Sequence, residues 1–177
     1  MHCSTASFAS LLALVPATFA VSMTHYKVGS GVDAAFKDFV EEYYRTSEDK
    51  AAADTFTDFW TTDGTLRIAG NSYQGYARML AVKQNLLPKD GNKAWWHLIN
   101  GTSVRDETTE NKTIVADIVI QTTYTPGNCS QAYGQAAFTV LKDKSGKARL
   151  EAHSQSLHLY DLVVSTTASP TDIKCTT

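Results

Sequence analysis

The sequence predicts an α+β domain: three N-terminal helices packed on a curved antiparallel β-sheet. Three observations carry this expectation. Apolar residues recur at helical spacing through the first half of the chain. From Ala94 onward they alternate with polar ones over long stretches, as in half-buried strands. The breaks between those stretches are short and turn-like, which joins the strands as antiparallel neighbours.

Taken in order, residues 21–31 are polar, contain Gly29-Ser30-Gly31, and read as a flexible lead-in. Val32, Phe36, Phe39, Val40, Tyr43 and Tyr44 place one broad apolar face on a helix over 32–45. Ser47 is a candidate N-cap for a second helix over 48–59, with Ala52, Phe56, Phe59 and Trp60 as its apolar positions. Asp63-Gly64 reads as a turn. Thr65 to Ala69 alternates like a strand, Gly70-Asn71 reads as a hairpin turn, and a return strand ends at Tyr73. A third helix over 76–87 buries Met79, Leu80, Leu86 and Leu87 and stops at Pro88. Strands are expected at 94–105, 112–124, 133–142 and 147–160. The Ser-, Thr- and Pro-rich tail reads as irregular.

The chain has 177 residues and a formal net charge of −2, which suggests one domain with no basic stripe for nucleic acid. Residues 8–20 form a short apolar run ending in small residues, the pattern of a secretory signal peptide cut after Ala20. The run is too short to span a bilayer and no second long one follows, so a soluble, secreted, extracellular protein with no membrane partner is expected. The domain then runs over 32–162, with a tail at 163–177. Cys3 leaves with the leader. Cys129 and Cys175 remain as a pair in an oxidising compartment, where a disulfide would pin the tail to the sheet. Three glycosylation sequons begin at Asn100, Asn111 and Asn128.

A glycan must face water. If Asn100 carries one, the period of two points Trp95, His97 and Ile99 inward and Trp96 and Leu98 outward. The next strands place Ile114, Ala116, Ile118 and Ile120, then Ala136, Phe138 and Val140, on the inner face. In the last strand Leu150 and Ala152 fit one parity and Leu157 and Leu159 the other, which a bulge near Gln155-Ser156 would reconcile. His153 and His158 then face outward. Trp96, Leu98, Val115 and Val119 make the outer face apolar enough to suggest a homodimer through it.

No His, Cys or carboxylate cluster has metal-ligand spacing, so no metal and no cofactor is expected, and no phosphate loop or nucleophile elbow occurs. Asp63 is more simply a turn residue than a site acid. For Trp95 and His97 two readings stay open: a wall and proton-transfer group of a site, or plain core.

Three local patterns resemble the NTF2-like superfamily, in its SnoaL-like and scytalone dehydratase-like branch. Tyr44-Arg45-Thr46-Ser47-Glu48-Asp49 resembles the end of the first helix there. Thr65-Leu66-Arg67-Ile68 resembles the first strand, and Trp96-His97-Leu98-Ile99-Asn100-Gly101 resembles the strand bearing a catalytic histidine. The resemblance covers about residues 32–162 and implies a cone fold whose interior holds a small, often aromatic molecule. It also implies a histidine at His97 and a carbonyl-holding tyrosine at Tyr44. The family's steering aspartate is replaced by Arg45, its second tyrosine falls at about Gly70, and its second histidine falls near Thr122 to Tyr124, where none exists. His97 is therefore expected to lack a carboxylate orienter.

The sequence thus suggests a secreted cone-fold protein that binds a small hydrophobic molecule, with isomerase or lyase chemistry open. The expected lining is Tyr44, Phe56, Trp60, Trp95, His97, Ile118 and Phe138, with His97 and Tyr44 as the catalytic pair. The rival reading is a non-catalytic interaction protein that uses the cone as scaffold.

Overall fold

A computed structural model describes residues 21–125 and 127–165. The leader-like segment, Cys175 and the end of the tail lie outside the described residues. The chain forms a six-stranded sheet with helices packed against one face. In chain order the elements are α1 (Phe36–Glu48), α2 (Asp54–Thr57), β1 (Trp60–Ile68), β2 (Asn71–Gln74), α3 (Tyr76–Leu86), β3 (Lys93–Glu107), β4 (Asn111–Tyr124), β5 (Asn128–Leu141) and β6 (Leu157–Ser165).

The strand order is β2-β1-β6-β5-β4-β3. The expectation of a wholly antiparallel sheet needs correction at one seam, because β1 runs parallel to β6. These two strands are joined through the rest of the domain and not by a hairpin, so nothing local forces them antiparallel. The long β3, β4 and β5 are antiparallel neighbours, as their turn-like connections require.

The helices differ more from expectation. α1 buries Phe36, Phe39, Val40, Tyr43, Tyr44 and Ser47, one face at helical spacing. Each large apolar side chain buried this way contributes roughly 1.5–3 kcal/mol. The second helix is a single turn of 4 residues. Its expected N-cap, Ser47, lies inside α1 instead, where its hydroxyl donates to the Tyr43 carbonyl at 2.7 Å. Phe59 and Trp60, assigned to that helix by spacing, lead into and open β1. The expected turn at Asp63-Gly64 lies within β1, where the register against β6 shifts between Trp60 and Thr65. Gly64 suits it: a Cβ there would stand 3.0 Å from the Thr61 carbonyl and 3.2 Å from the Leu157 carbonyl. The hairpin turn sits on Ala69 and Gly70, both at positive φ (48° and 83°).

The inner face is the expected one. Ile99, Ile114, Ala116, Ile118, Ala136, Phe138 and Val140 all belong to the main core. At its centre Phe138 meets Phe36, Phe39, Tyr43, Tyr44 and Tyr160 edge-on, at centroid distances of 5.0–6.2 Å. The fourth long strand does not start at 147. Residues 149–156 are irregular, with His153 and Gln155 at positive φ (58° and 53°), and β6 runs on to Ser165 inside the expected tail. His153 and His158 are outside the core, as expected: the first reaches the Thr55 carbonyl, the second Thr61.

The lead-in is not a free tether. The Ser22 and Lys27 amides donate to the His97 and Asn100 carbonyls at 2.7 and 3.0 Å, and Ser22 and Lys27 accept from Ile99 and Thr102. It thereby covers part of the β3 edge, a row of backbone groups that would otherwise stand unpaired. On the outer face Leu98, Val115 and Val119 are already buried within one chain, at 3%, 5% and 0% exposure. The apolar driving force expected there for a homodimer is therefore largely spent inside the monomer.

Candidate functional site

The sheet registers build one pocket wall. On β3, His97 stands opposite Ile120 of β4, and Trp95 opposite Thr122. On the other side, Tyr160 and Leu162 of β6 stand beside Leu66 and Ile68 of β1. The helices close the space from above: Tyr43, Tyr44 and Ser47 from α1, Phe56 from α2, Lys83 and Leu86 from α3. Together they line a cavity of about 150 Å³. That volume suits a single-ring molecule, since an apolar cavity of about this size accepts benzene.

Four of the expected lining residues meet there: Tyr44, Phe56, Trp95 and His97. Trp60, Ile118 and Phe138 do not line the cavity and lie wholly buried in the core. Ile118 pairs with Ile99, two residues along from the His97–Ile120 pair, and Ile120 takes the lining role assigned to it. Phe138 is walled off by Tyr43, Tyr44 and Tyr160. Trp60 packs on Tyr43, Phe56 and Tyr160, and its indole N–H finds no acceptor.

His97 is 5% exposed, and it is not alone. The Glu48 carboxylate, at the last residue of α1, accepts from His97 Nδ1 at 2.9 Å and from the His97 backbone N–H at 2.9 Å, both through Oε1. This corrects the expectation of a histidine without a carboxylate orienter. The family's aspartate position is Arg45, which points outward to Glu41 and Glu42. The carboxylate comes from one helical turn beyond Tyr44 instead. A carboxylate only accepts, so Nδ1 is the nitrogen that carries a proton toward Glu48, and in the neutral imidazole the lone pair falls to Nε2. Glu48 Oε2 is buried without a hydrogen-bond partner.

Tyr44 stacks on the imidazole at 4.3 Å between centroids, with 28° between the planes. Its hydroxyl lies 3.0 Å from that of Tyr160. Tyr160, not a residue near Gly70, is thus the second tyrosine of the site. Burial holds both hydroxyls protonated well beyond the ordinary phenol range. One O–H satisfies the other oxygen, which leaves a second proton to donate.

Glu48, Tyr160 and Lys83 escape sequence reasoning for different reasons. Glu48 had a signal: four residues after Tyr44, it must share the helix face that turns Tyr44 inward. Tyr160 fell in a strand whose parity was ambiguous. Lys83 has no apolar side chain to mark it among the core positions of the third helix, yet it is 2% exposed. Among the described residues, no group of three or more His, Cys, Asp or Glu side chains could hold a metal, and no helix is long and apolar enough to cross a membrane.

This architecture is the NTF2-like cone. Solved structures share it at low sequence identity. A protein from Novosphingobium aromaticivorans that carries a provisional scytalone dehydratase name superposes with a TM-score of 0.58 at 13% identity, over 75% of this chain and 83% of its own. An NTF2-like protein of unknown function from an Exiguobacterium species gives 0.50 at 14% identity, over 73% and 99%. A Catenulispora acidiphila protein in complex with S-DNPA gives 0.55 at 11% identity, over 75% and 95%. No protein-family model and no curated protein matches the sequence. At such identities the likeness is one of fold.

Proposed function

We propose that this protein binds a small, largely apolar ring compound bearing a carbonyl group inside the cone, and that its His97 side chain moves a proton on it. The observation that supports this reading is the convergence of an oriented imidazole and a tyrosine pair on one apolar cavity. In this reading Glu48 fixes the imidazole so that Nε2 is the base. A hydroxyl of the Tyr44–Tyr160 pair donates to the substrate carbonyl oxygen as charge develops there. Nε2 takes the proton next to that carbonyl. Returning it elsewhere makes the reaction an isomerisation, and expelling a hydroxide from the neighbouring carbon makes it a lyase reaction. The reading calls on no cofactor. The small-molecule complex of the Catenulispora neighbour is consistent with it.

The test is proton exchange. Cyclohexanone, a single-ring ketone, is incubated with the protein in deuterated water and followed by NMR. Exchange of its α-protons above background, lost in His97→Gln, supports the reading. Binding without exchange leaves a ligand-binding site without the proton transfer, and no binding removes the site and favours the rival reading of the cone as a scaffold.

Secretion belongs to the same reading and rests on the sequence: the leader-like residues 1–20, the Cys129 and Cys175 pair, and the three sequons. Asn128 is exposed, and Asn100 and Asn111 are half-buried.

A further inference from the structure

Among the described residues two lysines are buried, and the domain treats them differently. Lys112 is 6% exposed and has its counter-charge at hand, with the Asp33 carboxylate at 2.8 Å and that of Glu107 at 3.6 Å. Lys83 is 2% exposed and has no carboxylate within ion-pair distance among the described residues. Its Nζ donates to two backbone carbonyls just past the end of α1, Asp49 at 2.6 Å and Ala52 at 3.2 Å. The Phe56 ring lies under it at 5.6 Å. The nearby Asp49 side chain is turned to the Ala51 amide at 2.8 Å.

An ammonium has three N–H donors, and two are taken. Lys83 also lines the cavity. Burial works against its charge, pulling its pKa below the ordinary lysine value. The nearby Asp49 carboxylate, the carbonyl dipoles, the face of Phe56 and the negative end of α1 offset that only partly. A buried cation on the wall of a largely apolar cavity, with one N–H not taken by these carbonyls, is a half-built ion pair.

Building on the proposed ligand site, we propose that Lys83 supplies the charge that selects the ligand: a single-ring compound carrying an acidic oxygen, such as a carboxylate, a phenolate or an enolate. The ligand oxygen takes the third N–H of Lys83 and becomes the directly bonded counter-ion that no carboxylate of the described residues supplies. The charge-assisted bond forms where water is scarce, which makes it strong and makes neutral rings of the same size poor competitors.

The probes are benzoate and benzyl alcohol, rings of similar size with and without the charge. Their affinities are measured by calorimetry on the intact protein, on Lys83→Met and on Ile120→Phe, which fills the cavity. Benzoate should bind the unaltered protein at least about tenfold tighter than benzyl alcohol. Lys83→Met should abolish that preference and bring the two affinities within about twofold of each other. Equal affinities in the unaltered protein, or a preference that survives Lys83→Met, overturn the proposal while leaving the cavity reading intact. Binding of both probes that Ile120→Phe does not weaken overturns the cavity reading itself, and so does no binding of either. Should Lys83→Met fail to fold, the Lys83 Cε carbon resonance of the unaltered protein is followed during a benzoate titration. A saturable shift supports the contact, and an unmoved resonance at saturation overturns it.

Discussion

One oxygen of Glu48 accepts two hydrogen bonds from His97, one from the backbone N–H and one from the ring Nδ1, each at 2.9 Å. The pair joins the last residue of α1 to β3 and sets both the position and the tautomer of the imidazole. Removing the carboxylate therefore has two separable consequences.

Glu48→Leu leaves two buried donors of His97 without an acceptor. The expected cost is about 2–5 kcal/mol in urea unfolding. Glu48→Gln keeps an acceptor and should cost less than half of that. Nitrogen NMR of His97 should show Nδ1 protonated in the unaltered protein and a mixture of tautomers in Glu48→Leu. An unchanged tautomer in Glu48→Leu would remove Glu48 as the orienter.

Tyr43, Tyr44 and Tyr160 are buried, and their phenol pKa values are raised, chiefly by that burial. The unfolded chain ionises its tyrosines near pH 10, while the folded chain keeps these three protonated. The folded state then binds more protons, so stability is intact below about pH 10 and falls above it. Each such tyrosine adds about 1.4 kcal/mol of loss per pH unit in that range. Lys83, with a lowered pKa, acts in the opposite sense below 10.5, since there the unfolded chain binds more protons. Three tyrosines outweigh one lysine above pH 10. Absorbance at the phenolate band, read beside circular dichroism, should show that these three of the eight tyrosines ionise only as the fold is lost. Ionisation of all eight with the dichroism intact would contradict it.

Core and cavity substitutions should separate cleanly. Phe138→Ala removes the hub of the aromatic cluster and should cost about 3–5 kcal/mol. Ile120→Phe places extra volume into open space opposite His97, so it should shift stability by no more than about 1 kcal/mol while blocking ring compounds. A Phe138→Ala protein as stable as the parent, or an Ile120→Phe protein that still binds its ring probes at parental affinity, would show the wall is placed wrongly.

The expected link between Cys129 and Cys175 closes a long loop. The chain-entropy relation puts its worth at about 4 kcal/mol as an upper figure. Non-reducing peptide mapping of secreted protein should recover the linked peptides, and reduction should lower the unfolding midpoint. Two alkylatable thiols would contradict it. In the same preparation, glycosidase treatment should remove at least two chains, at Asn100 and Asn111. An unmodified mass would contradict that expectation.

Much of this protein was legible because its determinants are local. Period-two alternation placed β3, β4 and β5 and their inner faces, since a one-residue slip would expose every apolar side chain they carry. Helical spacing found α1 and the inward turn of Tyr44 by the same logic. The second helix failed because Ala52, Phe56, Phe59 and Trp60 satisfy a helical template equally well when a single turn is followed by a strand. The end of the chain failed because left-handed backbone at His153 and Gln155 leaves no periodic mark. The site itself was decided by tertiary structure. Glu48 meets His97 across 49 positions, Tyr44 meets Tyr160 across 116, and Lys83 reaches Asp49 across 34. Each contact depends on where a sheet register puts one partner and where a helix axis puts the other. Spacing along a chain constrains neighbours within a turn or a strand. It carries no information about which distant side chains the sheet's curvature and the packed helices bring to one cavity.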